Sequence, residues 1–163
     1  MTDFKSTSIA ITGGAGYVGS RCAVALALRG YRVIVIDRED AVRDHPFVDT
    51  RITARSGDLR DAEFAASAIE GADIVLHLAA RIGSLTYMHD FQADILRDNA
   101  LIDAALYQAA VLGSKPCIVY ASSSMVFQHA PAFPYKEEDL IHTPPPINVY
   151  GFSKLSGEYF CRA

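Results

Sequence analysis

Short apolar runs and longer amphipathic stretches alternate along this chain from one end to the other. Ser8–Thr12 and Arg32–Ile36 are rich in β-branched residues, and each predicts a strand. Tyr17–Arg29 between them has helical spacing, and Gly30 follows in the position of a C-cap. Arg51–Arg55 is the candidate third strand. Asp61–Glu70 predicts a short helix with Asp61 as its N-cap and Gly71 as its stop. Asp73–Leu78 is a continuous apolar run, the kind of strand that a sheet buries on both faces.

Further along, His89–Leu112 reads as one long helix ending before Gly113, and Cys117–Ala121 as a fifth strand. Gln128–Pro146 is a proline-rich loop with a charged patch at Lys136–Asp139, and a last helix starts near Asn148. This β-α-β-α alternation implies an α/β fold: a doubly wound parallel sheet, helices on both faces, joined by right-handed crossovers. No internal repeat and no shift in composition marks a second domain, so residues 1–163 are expected to form one domain.

Composition narrows the function classes. Half of the 163 residues are apolar and 21% are charged, which suits a soluble globular chain. A net charge of −4 argues against a surface built for nucleic acid. Cys22, Cys117 and Cys161 are odd in number and far apart, with no metal-ligand spacing, so neither disulfides nor a metal site is expected. Met1–Thr7 lacks the basic-then-apolar pattern of a signal peptide, and the apolar run Ile74–Ala80 is too short to span a bilayer. The expected setting is the cytoplasm, away from membranes.

Candidate chemistry begins at Thr12-Gly13-Gly14-Ala15-Gly16-Tyr17-Val18-Gly19, between the first strand and the first helix. Gly13 permits a tight turn, Gly16 lets the backbone approach a pyrophosphate, and Gly19 lets helix and strand pack closely. The phosphates would rest on the unpaired N–H groups and positive end of the helix. Asp37 ends the second strand about 20 residues past the glycines, where a carboxylate accepts hydrogen bonds from an adenosine ribose. That carboxylate repels a 2′-phosphate, which favours NAD over NADP, although Arg38 and Arg43 stand close by.

A second group lies towards the other end. Tyr150 and Lys154 are four apart, hence on one face of the last helix. Ser122-Ser123-Ser124 follows the fifth strand directly, at the carboxyl edge where open α/β sheets bind ligands. Tyr150 could exchange a proton with an alcohol, Lys154 would lower the phenol pKa, and Ser123 would hold the same oxygen. A serine hydrolase is a poor reading, since the elbow G-x-S-x-G is missing.

In this combination the chain resembles the extended short-chain dehydrogenase/reductase family, the nucleotide-sugar epimerases and dehydratases. The likeness rests on Thr12–Gly19, Asp37, Gly57-Asp58-Leu59, His77-Leu78-Ala79-Ala80, Asn99, Ser122–Phe127 and Tyr150-Gly151-Phe152-Ser153-Lys154, in the family's order. It implies a Rossmann fold, NAD as cofactor, a UDP-, GDP- or dTDP-linked sugar as substrate, and a homodimer in the full-length protein. By resemblance, Gly13, Gly16, Tyr17, Val18, Gly19, Asp37 and Arg38 meet the cofactor's phosphates and adenosine. Asp58 and Leu59 flank its adenine, and Leu78, Ala79 and Ala80 line its middle. Ser123, Tyr150 and Lys154 are the implied catalytic residues, with Tyr150 and Lys154 also touching the cofactor. Asn99 is implied as a support and His77 as packing only.

Two departures from the family pattern bear on the reaction. Dehydratases of the family place Asp or Glu just after the catalytic hydroxyl, where this chain has Ser124 and Met125. Neither can move a proton from carbon, which favours a 4-epimerase or a one-way ketone reductase. Arg81-Ile82-Gly83-Ser84 resembles the epimerase-reductases that make GDP-fucose, but Met125 stands where those enzymes carry Cys. Family members also continue beyond the Tyr–Lys helix, so the chain is expected to be truncated before the last strands and the C-terminal substrate lobe. A non-sugar carbonyl reductase and a non-catalytic NAD(P) sensor are the rival readings; the intact Ser123, Tyr150 and Lys154 weigh against the sensor. Finally, Ile95, Ile102, Leu106 and Leu155 suggest a dimer face on two helices, unless they only cover the sheet.

Overall fold

A computed structural model describes residues 6–163; the part of the leader reading that falls on Met1–Lys5 lies outside them. Strands β1 (Ser8–Thr12), β2 (Arg32–Asp37), β3 (Ile52–Ser56), β4 (Ile74–His77) and β5 (Cys117–Tyr120) form one parallel sheet. Their order is β3-β2-β1-β4-β5, so the chain reverses its direction of travel between β1 and β4. In open α/β sheets that switch point opens a crevice at the carboxyl edge. Helices α1 (Tyr17–Leu28), α2 (Glu39–Asp44), α3 (Ala62–Ile69), α4 (Leu85–Asp90), α5 (Gln92–Leu112) and α6 (Val149–Arg162) surround it. Short 3₁₀ turns at Ser124–Phe127 and Glu137–His142 shape the long loop before α6.

The period-2 alternation of strands sends successive side chains to opposite faces. Ile9, Ile11, Val33 and Val35 turn to one face and pack on Ala23 and Ala27 of α1. Ala10, Ile34, Ile36 and Val75 turn to the other and pack under α3 and α5. Each fully buried Ile or Val contributes about 1.5–3 kcal/mol, so these two layers dominate the fold's stability.

Local signals set the helix ends. Gly30 has φ +94°; its N–H donates to Ala27 and the Tyr31 N–H to Leu26, closing α1 with a Schellman motif. The Asp61 carboxylate accepts from the Glu63 and Phe64 N–H groups and so caps α3. Asn148 does the same for Tyr150 and Gly151 at the start of α6.

The structure corrects the expected His89–Leu112 helix. The chain bends out of helical geometry at Phe91 (φ −117°, ψ 38°), giving α4 and α5. Ser84 caps α4, and the Tyr87 ring stacks on Phe91 at 4.7 Å, so a local aromatic pair holds the break. The single turn α2 has no apolar periodicity and buries nothing, which is why no pattern announced it. Among the described residues no helix is long and apolar enough to cross a membrane.

Candidate active site

The glycine turn lies between β1 and α1. Gly13 adopts φ +66°, and a Cβ there would come within 3.0 Å of the Ala79 nitrogen. Gly19, on the first turn of α1, faces the Gly13 carbonyl so closely that a Cβ would lie 2.2 Å from its oxygen. Gly16 is the N-cap of α1, and no side chain caps the helix there. An uncapped helix end leaves its first N–H groups, with the positive end of the helix dipole, free for an anion.

Asp37 closes this turn from the end of β2. One carboxylate oxygen accepts from the Ala15 N–H at 3.0 Å and the other from the Arg38 N–H at 2.9 Å. Each oxygen keeps a lone pair for a further donor. A cleft of about 610 Å³ opens over the turn, within the usual range for ligand sites. Gly13, Gly16, Asp37, Arg38, Asp58, Leu59, Leu78, Ala79 and Ala80 all line it. Of the other residues expected at the cofactor, Tyr17 and Val18 are exposed beside the cleft's helix and Gly19 is buried in the turn's packing.

The cleft also has a charged wall that the sequence did not disclose. Asp98 on α5 is buried and binds Arg60 (3.1 Å), Arg97 (2.9 Å) and Arg81. Burial alone would raise its carboxyl, but the hydrogen bonds from Arg97, Arg81 and Arg60 outweigh that and hold its pKa at about 2. Arg60 also grips Asp58 and lowers that carboxyl, while Arg81 reaches the Tyr87 hydroxyl at 2.6 Å. Only adjacency hinted at this wall: Arg60 follows Leu59, Arg81 follows Ala80, and Asp98 precedes Asn99.

Asn99 links the two ends of the site. Its side-chain oxygen accepts from the Arg81 N–H, and its amide donates to the Arg81 carbonyl and to Ser153 Oγ at 3.1 Å. Ser153 in turn donates to the Tyr150 carbonyl at 2.8 Å. The cleft wall and the Tyr–Lys helix are therefore braced against each other.

Lys154 is only 4% exposed. Its Nζ donates to the Ala121 carbonyl at 2.8 Å, beneath the end of β5, and lies 4.7 Å from the centre of the Tyr120 ring. Burial pulls the ammonium pKa down, and the charge of Asp103 opposes that. The Tyr150 ring centre is 6.0 Å from the same Nζ. Burial raises the Tyr150 phenol, so the expected lowering by Lys154 is not found in this arrangement. The physical reason is that both groups are desolvated while the ammonium is turned to a backbone carbonyl. Ser123 Oγ accepts the Met125 N–H at 3.2 Å and caps the 3₁₀ turn. Ser123 lines a second hollow of about 580 Å³, with Ser122, Ser124 and Glu158, and the large cleft is lined by neither Ser123, Tyr150 nor Lys154.

A parallel sheet with a glycine turn, an acid at the end of its second strand and a Tyr–Lys helix has a counterpart among known proteins. The family described as "NAD dependent epimerase/dehydratase family" matches residues 9–163. The chain belongs to that family. NAD is the cofactor that goes with this membership, and a Rossmann-type enzyme domain the architecture. Among similar family proteins, UDP-glucuronate 4-epimerase 6 of Arabidopsis thaliana is 31% identical over 161 residues, covering 93% of this chain and 35% of that protein. The 3 beta-hydroxysteroid dehydrogenase/Delta 5-->4-isomerase of Mycobacterium tuberculosis is 28% identical, covering 95% and 42%. The crystal structure of UDP-glucose 4-epimerase from Brucella ovis in complex with NAD superposes with a TM-score of 0.79 at 26% identity, covering 94% and 46%. The chain thus spans less than half the length of each of these proteins.

Proposed function

We propose that this chain is the cofactor-binding part of an NAD-dependent nucleotide-sugar epimerase that works at one sugar carbinol. The observation that carries the reading is the pairing of an uncapped glycine turn with Asp37 across one cleft, braced through Asn99 to the helix of Tyr150 and Lys154. The residues present fit NAD. The turn and helix end suit a pyrophosphate, Asp37 suits ribose hydroxyls, and Leu78–Ala80 form an apolar wall.

When bound, NAD supplies a reversible hydride acceptor. The chain's own residues manage the proton. Tyr150 removes it from the substrate hydroxyl and returns it, and Ser123 holds that oxygen by hydrogen bond. Lys154 would keep a positive charge beside the phenolate from which Tyr150 starts and to which it returns when it gives the proton back, and would hold the nicotinamide ribose. For that role its Nζ must turn from Ala121 towards the ligand. Ser124 and Met125 offer no acid or base for a proton on carbon, which supports epimerisation over dehydration.

One relative gives the rival reading its support: the hydroxysteroid dehydrogenase/isomerase stands for non-sugar carbonyl substrates on the same scaffold. A screen of UDP-, GDP- and dTDP-sugars with the full-length protein, following NADH absorbance and epimer ratio, decides between them. An altered epimer ratio without net NADH supports the proposal, whereas turnover of a steroid or other ketone alone overturns it. In the same preparation NAD(H) should bind more tightly than NADP(H) by calorimetry, because Asp37 ends β2.

The proposal extends to a cytosolic homodimer. Cys22, Cys117 and Cys161 are free thiols, as a reducing compartment favours. Ile95 and Leu106 are fully buried and Ile102 packs with Leu106 against the core under the sheet, so these three are not available for a dimer face. Leu101, Val111 and Leu112 on α5 and Phe152, Tyr159 and Phe160 on α6 are the large apolar residues exposed there, and light scattering on the full-length protein tests them.

A further inference from the structure

Beneath the candidate site, on the side of the sheet covered by α5 and α6, lies a buried polar chain that the proposed chemistry does not use. Thr12, His77 and Asp103 are each at most 4% exposed, though they come from β1, β4 and α5. Thr12 Oγ1 accepts from the Leu78 and Ala79 N–H groups, at 3.2 and 3.1 Å, in the wall of the cofactor cleft. With its lone pairs so engaged, the hydroxyl hydrogen of Thr12 must go to His77 Nδ1, 2.7 Å away. Nδ1 is then an acceptor, and the ring proton sits on Nε2, which donates to Asp103 Oδ1 at 3.0 Å. The hydrogen bonds all run one way, from the cleft wall to a single carboxylate.

The other oxygen of that carboxylate faces the Tyr–Lys side. Tyr120 donates to Asp103 Oδ2 at 3.5 Å, and burial raises the Tyr120 phenol, so it stays protonated as a donor. Lys154 Nζ lies over the same Tyr120 ring. Gly157 on α6 makes the approach possible, since a Cβ there would lie 2.1 Å from the Tyr120 hydroxyl and 2.7 Å from Asp103 Oδ2. The other titratable groups around this cluster are His77 on β4, Tyr107 on α5, and Tyr150 and Glu158 on α6. Tyr107 and Tyr150 are phenols raised by burial, and Glu158 is bonded to Ser122 and Arg162. Asp103 is thus the buried carboxylate that shares Tyr120 with the ammonium, and its charge opposes the effect of burial on Lys154.

We propose that Asp103 is a positioning residue shared by both halves of the site. Through His77 and Thr12 it sets the hydrogen-bond polarity of the cofactor wall, and across Tyr120 it places a negative charge under Lys154. The inference rests on the reading of Lys154 and the Leu78–Ala80 wall as parts of one active site. Its test needs neither cofactor nor substrate, so its failure is distinct from a failed sugar-nucleotide screen.

The titration of Lys154 Nζ in the isotope-labelled chain is followed by NMR, in wild type and Asp103→Asn, with Lys115 and Lys136 as internal controls. The expected midpoint for Lys154 in the variant is lower by about one pH unit, the effect of removing an opposite charge at short range. The controls should not move. An unchanged Lys154 midpoint in a variant whose amide spectrum stays folded overturns the charge half of the proposal. The polarity half is read in wild type, so it survives a variant that fails to fold. Long-range ¹⁵N spectra of His77 at neutral pH should show a neutral ring protonated at Nε2. A ring protonated at Nδ1, or on both nitrogens, overturns it.

Discussion

At the Thr12–Gly19 turn, the groups aimed at the cleft belong mostly to the backbone, whereas around Lys154 the polar groups are mostly side chains, already bonded to one another or to a backbone carbonyl. The turn needs no particular side chain at most positions. What it needs is the absence of one at Gly13 and Gly19. The Lys154 region is the reverse: Lys154 holds the Ala121 carbonyl, and Tyr120 and His77 both bond to Asp103 in a largely buried network. A site built from backbone tolerates exchange of side chains but not the addition of a methyl. A site built from desolvated side chains is sensitive to single polar atoms, because an orphaned partner loses its bond and stays out of water.

That contrast breaks most sharply in the chemistry. Tyr150→Phe in the full-length enzyme keeps the ring and removes one hydroxyl. Turnover should fall by about 10²–10⁴-fold with NAD affinity unchanged, since loss of a general acid/base has that size. Steady-state rates beside a calorimetric titration give both numbers. A variant retaining more than about a tenth of wild-type turnover would show that Tyr150 is not the acid/base.

Next in size is the turn. Gly19→Val forces a side chain against the Gly13 carbonyl and the Gly14 Cα. Overpacking of this kind costs about 1–3 kcal/mol, so thermal unfolding should come several degrees earlier, and NAD binding should be lost with the turn's shape. Val24→Ala, farther along α1 at an exposed position away from the turn, should leave both unchanged. Equal behaviour of the two variants would undo the claim that the turn is a backbone site.

The smallest expected effect sharpens the comparison from the cleft's charged wall. Asp98 has a folded pKa of about 2, below its ordinary value of 3.8. Its interactions with Arg60, Arg81 and Arg97 therefore add stability in full above pH 3.8 and lose it as pH falls towards 2. Urea unfolding between pH 5 and pH 2.5 should show that loss, and Asp98→Asn should flatten it while lowering stability at neutral pH. An identical acid slope in the variant would mean that other carboxylates carry it.

Much of this was readable from the residues alone. Strand positions, the doubly wound alternation and the Asp61 and Gly30 helix ends depend on local periodicity and short-range hydrogen bonding, which a sequence displays directly. The Gly–Asp37 pairing was legible from the spacing of a glycine-turn motif and its acid. Helix α2 and the break at Phe91 were not readable, since a single turn buries no apolar face and the break rests on one aromatic stack. The buried networks were beyond reach for a different reason. His77 meets Thr12 across 65 residues of sequence and Asp103 across 26, and Asp98 gathers arginines from separate loops and from its own helix. A His in an apolar strand or an Asp on a helix looks the same in sequence whether it faces water or a buried partner. Sheet order and helix packing brought those residues together, and once they were out of water they had to bond to one another.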